Sequence, residues 1–283
     1  MQILVTSASG ANGDGYGSLL SFSLDGTPQG TFSADPRITD PRGLSVSANR
    51  RLLYVNSGSD RILALDATGN VVRDTGEIPG LNAGGGNLAP DDTYLVGMRS
   101  ARTIVAFDAD LAGAPQNVLP AGIVPFPRGF ASAEDGTIYL ASGIGPEGEG
   151  ENSIAVFDAE GTSLASRFIT DESVSPLDLA IAPNGNIVVS SEFPFRAHDA
   201  VTSIREYDRS TGSLVRVFTP PSAIGFHQPR GLRFGPDGHL YCVARDNVMA
   251  FDFGDGRFLD SVVHMPRLNG QAIVFFPLTL LAD

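Results

Sequence analysis

The chain has 283 residues, 42% of them hydrophobic, and a formal net charge of -13. That is enough apolar material for one sizeable core, while the acidic balance argues against nucleic acid or an anionic membrane as partner, since basic patches supply most of that affinity. Every one of the 19 basic side chains is Arg, which removes lysine Schiff-base and general-base chemistry, and the single cysteine, Cys242, rules out an internal disulfide and reads as a small core residue.

The opening residues MQILVTSASG lack a basic segment followed by a long apolar stretch, and no later apolar run reaches the length of a membrane span. The expectation is a cytoplasmic protein as given, with a periplasmic or secreted one equally consistent if a leader has been removed. Ile3 to Thr6, Leu19 to Leu24 and Gln29 to Phe32 read as the second, third and fourth strands of a unit that lacks its first strand. The complete unit follows at Pro41 to Val72: a Pro-x-Gly opening, short apolar runs at Leu44 and Val46, at Leu52 to Val55 and at Ile62 to Leu65, then Asp66 and a glycine turn.

Related stretches begin at Pro127, Pro176 and Pro229, with a worn copy around Gly84. A period of about 40 to 50 residues, built from short strand-like runs without helical periodicity, signals four-stranded propeller blades. The third strands align best: RILALDATG, TIVAFDADLAG, SIAVFDAEG, SIREYDRSTG and NVMAFDFGDG. In each, alternating apolar residues run into an Asp that opens a turn closed by Gly. Five blades are expected at 41–76, 83–122, 127–170, 176–220 and 229–262, and a sixth from 1–32 together with 268–277. The predicted fold is all-β: one six-bladed β-propeller over 1–283, with four-stranded antiparallel blades and a ring closed by the C-terminal strand joining the N-terminal blade. Closure removes the sheet edges that an open array would expose.

Strand order then assigns loops to faces. The hairpins at 182–185 and 235–238 fall on one face, with His239 beside the second. The long loops at 8–17, 143–152 and 192–202 fall on the other, around the channel mouth, where binding groups usually sit. The PRG motif brings Arg42, Arg128 and Arg230 to that mouth from alternate blades, with Gln271 at the equivalent place in the last strand. Three guanidinium groups there could clamp a carboxylate or phosphate by paired hydrogen bonds; each could instead pair with an acid of its own or the next blade.

Three histidines, His198, His227 and His264, also fall in mouth-side positions, with Glu192 at the end of a second strand. Imidazole and carboxylate together suit either general acid and base catalysis or a divalent ion, calcium or zinc. The spacing matches no metal signature, and solvated loop histidines are the plainer reading. No organic cofactor is expected. Glu147, Glu149 and Glu151 alternate with glycine in the blade-four loop, read as a solvated acidic lid without the fixed ligand series of a calcium loop. No nucleophile elbow, Walker loop, dinucleotide fingerprint or paired-cysteine zinc site is present.

The phrase PRGLRFGPDGHLYCVARDNVMAFD at 229–252, with its relatives at 41–66 and 127–158, resembles the NHL repeat and the related six-bladed group that includes SMP-30/gluconolactonase-like and strictosidine-synthase-like proteins. The resemblance runs through nearly the whole chain and implies a mouth-face site for a small molecule. Its calcium lactonases resemble a ring of Glu, Asn and Asp ahead of the first strands; the matching positions here are Arg42, Gly84, Arg128, Leu177, Arg230 and Gln271, with Asp178 and Asn87 displaced. Replacing acids by Arg opposes a dication. The Trp-containing strands of the streptogramin-lyase pattern have no counterpart, because the chain has no Trp. The function expected is an enzyme acting on a small anionic or carbonyl-containing molecule, lactonase-like or lyase-like. In it Arg42, Arg128, Arg230 and Gln271 bind substrate, and His227, His264, His198 or Glu192 moves the proton. The alternative is a non-catalytic propeller that holds a protein or peptide.

Overall fold

A computed structural model describes residues 1–8, 17–89, 91–143, 152–191 and 202–277. Chain order runs β1 (Gln2–Ser7), β2 (Ser18–Ser23), β3 (Pro28–Ser33), then β4 (Gly43–Val46), β5 (Leu53–Ser57), β6 (Arg61–Leu65), β7 (Val71–Asp74). Next come β8 (Ala83–Leu88), β9 (Tyr94–Met98), β10 (Thr103–Phe107), β11 (Gln116–Asn117), and β12 (Pro127–Ser132), β13 (Ile138–Ser142), β14 (Ser153–Phe157), β15 (Ser163–Thr170). The last nine are β16 (Pro176–Ile181), β17 (Ile187–Ser191), β18 (Ser203–Tyr207), β19 (Leu214–Phe218), β20 (Leu232–Phe234), β21 (Leu240–Val243), β22 (Asn247–Phe251), β23 (Phe258–His264) and β24 (Gly270–Phe276).

They pair into six four-stranded antiparallel sheets, five of them consecutive and the sixth ordered β24-β1-β2-β3. The molecule is therefore a six-bladed β-propeller whose C-terminal strand completes the N-terminal blade. In that seam Gln2 faces Phe276, Ile3 faces Phe275 and Leu4 faces Val274. The Ala272 N–H also donates to Thr6 Oγ1 at 2.8 Å. Among the described residues no helix is long and apolar enough to cross a membrane.

The sequence suggested half-buried strands, with one apolar face each. The structure buries both faces of the inner strands, because each blade is packed between two neighbours; β14, β18 and β22 are buried at every position. Alternation decides which neighbour a side chain meets. Ile3 and Val5 pack with Tyr241 and Val248 of blade six, while Leu4 packs with Leu44, Leu53 and Leu63 of blade two. Six apolar clusters result, one in each interface between adjacent blades.

The aspartates that end the third strands cap their turns. Asp66 Oδ1 accepts from the N–H groups of Thr68 and Asn70, and Asp158 Oδ1 from those of Glu160 and Thr162. At the Asp208 turn, the hydroxyl and amide donors of Ser210 and Thr211 hold the carboxyl down to about 2. The closing glycine is required by space as well as by its φ of 85°: a Cβ on Gly69 would lie 2.0 Å from the Phe32 carbonyl oxygen of the preceding blade.

One buried carboxylate is matched by several partners. Glu206, on β18, has a side chain only 1% exposed. Its carboxylate accepts from Asn184 Nδ2 at 2.8 Å, Asn186 Nδ2 at 2.7 Å and Arg216 Nε at 2.5 Å. Arg216 in turn lies over the rings of Phe218 and Phe253, which ties blade five to blade six. Burial pushes the Glu206 carboxyl up, but the Asn184, Asn186 and Arg216 donors outweigh it and hold it below its ordinary value. The stabilisation from this group is present above the unfolded carboxyl value and is lost as pH falls through the lower folded one. Glu206→Gln should cost roughly 1–3 kcal/mol in urea unfolding near neutral pH, and the gap to the parent protein should shrink on acidification below about pH 4.

Candidate functional site

The first strands of the six blades surround the central axis, and their equivalent residues can be compared directly. The rim position carries Arg42, Gly84, Arg128, Leu177, Arg230 and Gln271. The next position inward carries Gly43, Gly85, Gly129, Asp178, Gly231 and Ala272. Small residues are needed there because adjacent first strands nearly touch: a Cβ on Gly129 would sit 2.6 Å from the Leu177 carbonyl oxygen, and one on Gly231 would sit 2.8 Å from Ala272 Cα. The glycine of the PRG motif thus allows close approach, and its proline and arginine are carried to the rim with it.

Second-strand polar groups fasten this inner ring. Asn56 Nδ2 donates to the Gly84 carbonyl of the next blade at 3.0 Å while Asn56 Oδ1 accepts from the Tyr94 hydroxyl at 2.7 Å. Ser190 Oγ donates to the Arg230 carbonyl at 2.6 Å and accepts from the Asp178 N–H at 3.0 Å. Both Asn56 and Ser190 are fully buried. The backbone below the rim is therefore held in place by directed bonds between blades.

The small inner ring leaves a cavity of about 230 Å³ at one end of the axis. Arg42, Arg128, Arg230 and Gln271 all line it, as do Arg99, Arg233, Asp40 and Asp178. Among the described residues, five guanidinium groups thus face two carboxylates on the wall of one cavity, in a chain that is strongly acidic. Arg42 Nη2 bonds to Asp40 Oδ2 at 2.7 Å and Arg42 Nη1 to Asn82 Oδ1 at 2.8 Å, so this arginine both lines the cavity and pairs with an acid of its own loop. Arg128, 6% exposed, lies 4.9 Å from the centre of the Phe126 ring, with Arg99 at 5.9 Å from the same ring. Arg233 Nη1 bonds to Asp178 Oδ2 at 3.2 Å.

The two described histidines proposed for chemistry stand off this cavity. His227 is exposed in the loop before β20, and neither it nor His264 lines the cavity. His264 ends β23, the outermost strand of blade six, where its Nδ1 bonds to Asn247 Oδ1 at 2.6 Å. Glu192, His198 and the acidic residues Glu147, Glu149 and Glu151 lie outside the described residues. Sequence reasoning missed Asp40, Arg99 and Arg233, and set Asp178 aside as displaced. Two of these carried a signal: Asp178 replaces the glycine of PRG in the one Pro-led copy that lacks the motif, and Arg233 stands where the other first strands carry Ser45, Asn87, Ala131, Ala180 and Val274.

The donor set does not suit a divalent cation. Among the described residues the two carboxylates lining the cavity are engaged by Arg42 and Arg233, five guanidinium groups repel a dication, and no three His, Cys, Asp or Glu side chains converge as ligands. Nor is Cys242 a nucleophile for this site: it is fully buried, and burial pushes its thiol well above the ordinary range.

Fold and cavity together define a class: a six-bladed β-propeller with an arginine-walled recess at one end of its axis. Among solved structures the chain is similar to a chain of the nidogen/laminin complex, with 15% identity, a TM-score of 0.72 and coverage of 96% of this chain and 97% of that one. It is similar to streptogramin B lyase at 16% identity and a TM-score of 0.61, over 83% of this chain and 73% of that one. It is similar also to a gluconolactonase from Xanthomonas campestris at 20% identity and a TM-score of 0.63, over 80% and 76%. The structural neighbours thus include the gluconolactonase type of propeller that the blade motif resembles, and at these identities the likeness is one of fold. No protein-family model matches the chain, and no curated protein sequence matches it.

The inner glycine ring yields a direct test. Gly129→Ala places a methyl against backbone that cannot retreat, so it should destabilise the protein by about 1–3 kcal/mol in chemical unfolding; a stability equal to the parent would show that the first strands have room to separate.

Proposed function

We propose that this protein is an enzyme acting on a small organic anion, which it binds in the arginine-walled cavity at the channel mouth. The observation that carries the reading is the gathering of Arg42, Arg99, Arg128, Arg230 and Arg233 on one recess of about 230 Å³, where Asp40 and Asp178 are the carboxylates among the described residues. The volume lies below the usual range for drug-sized ligands, so a compact substrate is favoured. A basic recess in an acidic molecule also focuses the field on its own mouth and draws in anions.

In this reading the arginines hold a carboxylate or phosphate by paired charged hydrogen bonds. The same guanidinium groups stabilise negative charge that develops on a carbonyl oxygen, as in hydrolysis of a lactone or ester or in an elimination. Gln271 supplies a neutral donor on the same wall. Of the proposed proton carriers, Glu192 and His198 remain the candidates, since His227 and His264 stand off the cavity. The gluconolactonase and streptogramin B lyase among the structural neighbours support the idea that a propeller of this shape can hold small-molecule chemistry.

Calorimetric titration with small carboxylates, inorganic phosphate and their uncharged amide or alcohol counterparts tests the proposal. Saturable binding of the anions alone is expected, weakening as salt is raised, with Arg128→Ala and Arg230→Ala each lowering affinity roughly tenfold or more. Equal affinity for charged and uncharged compounds, or none for either, would overturn it. Turnover is tested separately by proton release from lactones and esters of hydroxy acids; Glu192→Gln or His198→Ala should abolish it while leaving anion binding intact.

A further inference from the structure

We infer that Arg233, held by Asp178, forms the floor of the mouth cavity and sets the length of the anion it accepts; this rests on the small-anion reading above. Arg233 lines two cavities at once. One is the mouth recess, and the other is a space of about 500 Å³ at the opposite end of the axis, walled by Ser45, Ser47, Arg50, Asn87 and Phe234 among others. Among the described residues no Asp or Glu lines that second space.

The guanidinium lies across the axis between them. Its Nη1 donates to Asp178 Oδ2 of blade five at 3.2 Å and to the Leu232 carbonyl of its own blade at 2.6 Å. Its Nη2 donates to the Leu44 carbonyl of blade two at 3.3 Å, reaching past the blade built from both chain ends. Asp178 Oδ2 also accepts from the Leu232 N–H at 3.0 Å, so the carboxylate that positions the arginine is itself fixed to backbone. Both side chains are largely shielded, 25% and 17% exposed.

The sequence of the inner rings shows why this pair matters. At the level of Asp178 the first strands of the other five blades carry only glycine or alanine, so none of them brings a side chain longer than a methyl group to the axis there. At the level of Arg233 the others carry residues no longer than Asn or Val. A crosspiece made by one arginine and one aspartate is what separates the two spaces. An anion seated among the rim arginines meets a cationic floor, which favours a short molecule whose negative group points inward. Without the crosspiece the two recesses join, and a longer molecule could reach toward Arg50 on the far side.

The test is calorimetric titration of a series of linear dicarboxylates of increasing length against the full chain, the parent protein compared with Arg233→Ala. The parent should prefer the short members. The variant should bind those about tenfold more weakly and move its preference to longer members. Asp178→Asn, isosteric and less prone to disturb folding, should shift the preference the same way by a smaller step, because it loosens Arg233 without removing it. A folded Arg233→Ala variant, or a folded Asp178→Asn variant should the first not fold, that keeps the parent's length profile and loses affinity uniformly overturns the floor while leaving the anion site standing. Failure of the parent to bind any member overturns both.

Discussion

The structure depends on how closely six sheets can approach one axis. Each first strand lies against the next with so little space that a methyl group at the inner ring meets neighbouring backbone, at 2.6 Å for Gly129 and 2.8 Å for Gly231. Glycine and alanine are therefore imposed on that ring by packing. The rim residue one step before it is not held small by that crowding, and in three blades it is Arg. Crowding at the axis and charge at the mouth are consequences of the same short motif.

What surrounds that ring is of two kinds. Apolar side chains fill the wedges between blades, with alternate residues of each strand serving opposite neighbours, and this term supplies the bulk of the cohesion. A smaller set of polar groups crosses the same wedges: Asn56 to Gly84, Ser190 to Arg230, and Glu206 through Arg216 to the aromatic rings of the next blade. These bonds are directional where the hydrophobic contacts are not, and they fix the angle and register at which one blade meets the next. The inner ring owes its definition to them.

Much of this was legible in the residues. The repeat of Pro-x-Gly, three apolar runs and an Asp to Gly turn gave the blades, and the missing first strand at one end with a spare one at the other gave the closure. Strand order also located the rim on which Arg42, Arg128, Arg230 and Gln271 stand. What strand order does not encode is distance from the axis. Loop residues of one rim spread from the channel to the outer edge, which is how His264 comes to end an outermost strand and bond to Asn247. Asp178 and Arg233 were harder to see for another reason: each is a departure from its own repeat, and a departure gains meaning only once the ring is assembled and the other five positions prove too short to fill the space.

The seam between β24 and β1 sets a condition on how the molecule comes into being. Thr6 and Ala272 meet although 266 positions separate them along the chain, and contacts of that span are late and slow to form. During synthesis β1 to β3 must wait, one edge unsatisfied, until β24 leaves the ribosome. The five intervening blades can pack in order meanwhile, so β1 to β3 become the last of the six sheets to be secured, and a chain still lacking β24 carries an adhesive edge of the kind that chaperones shield.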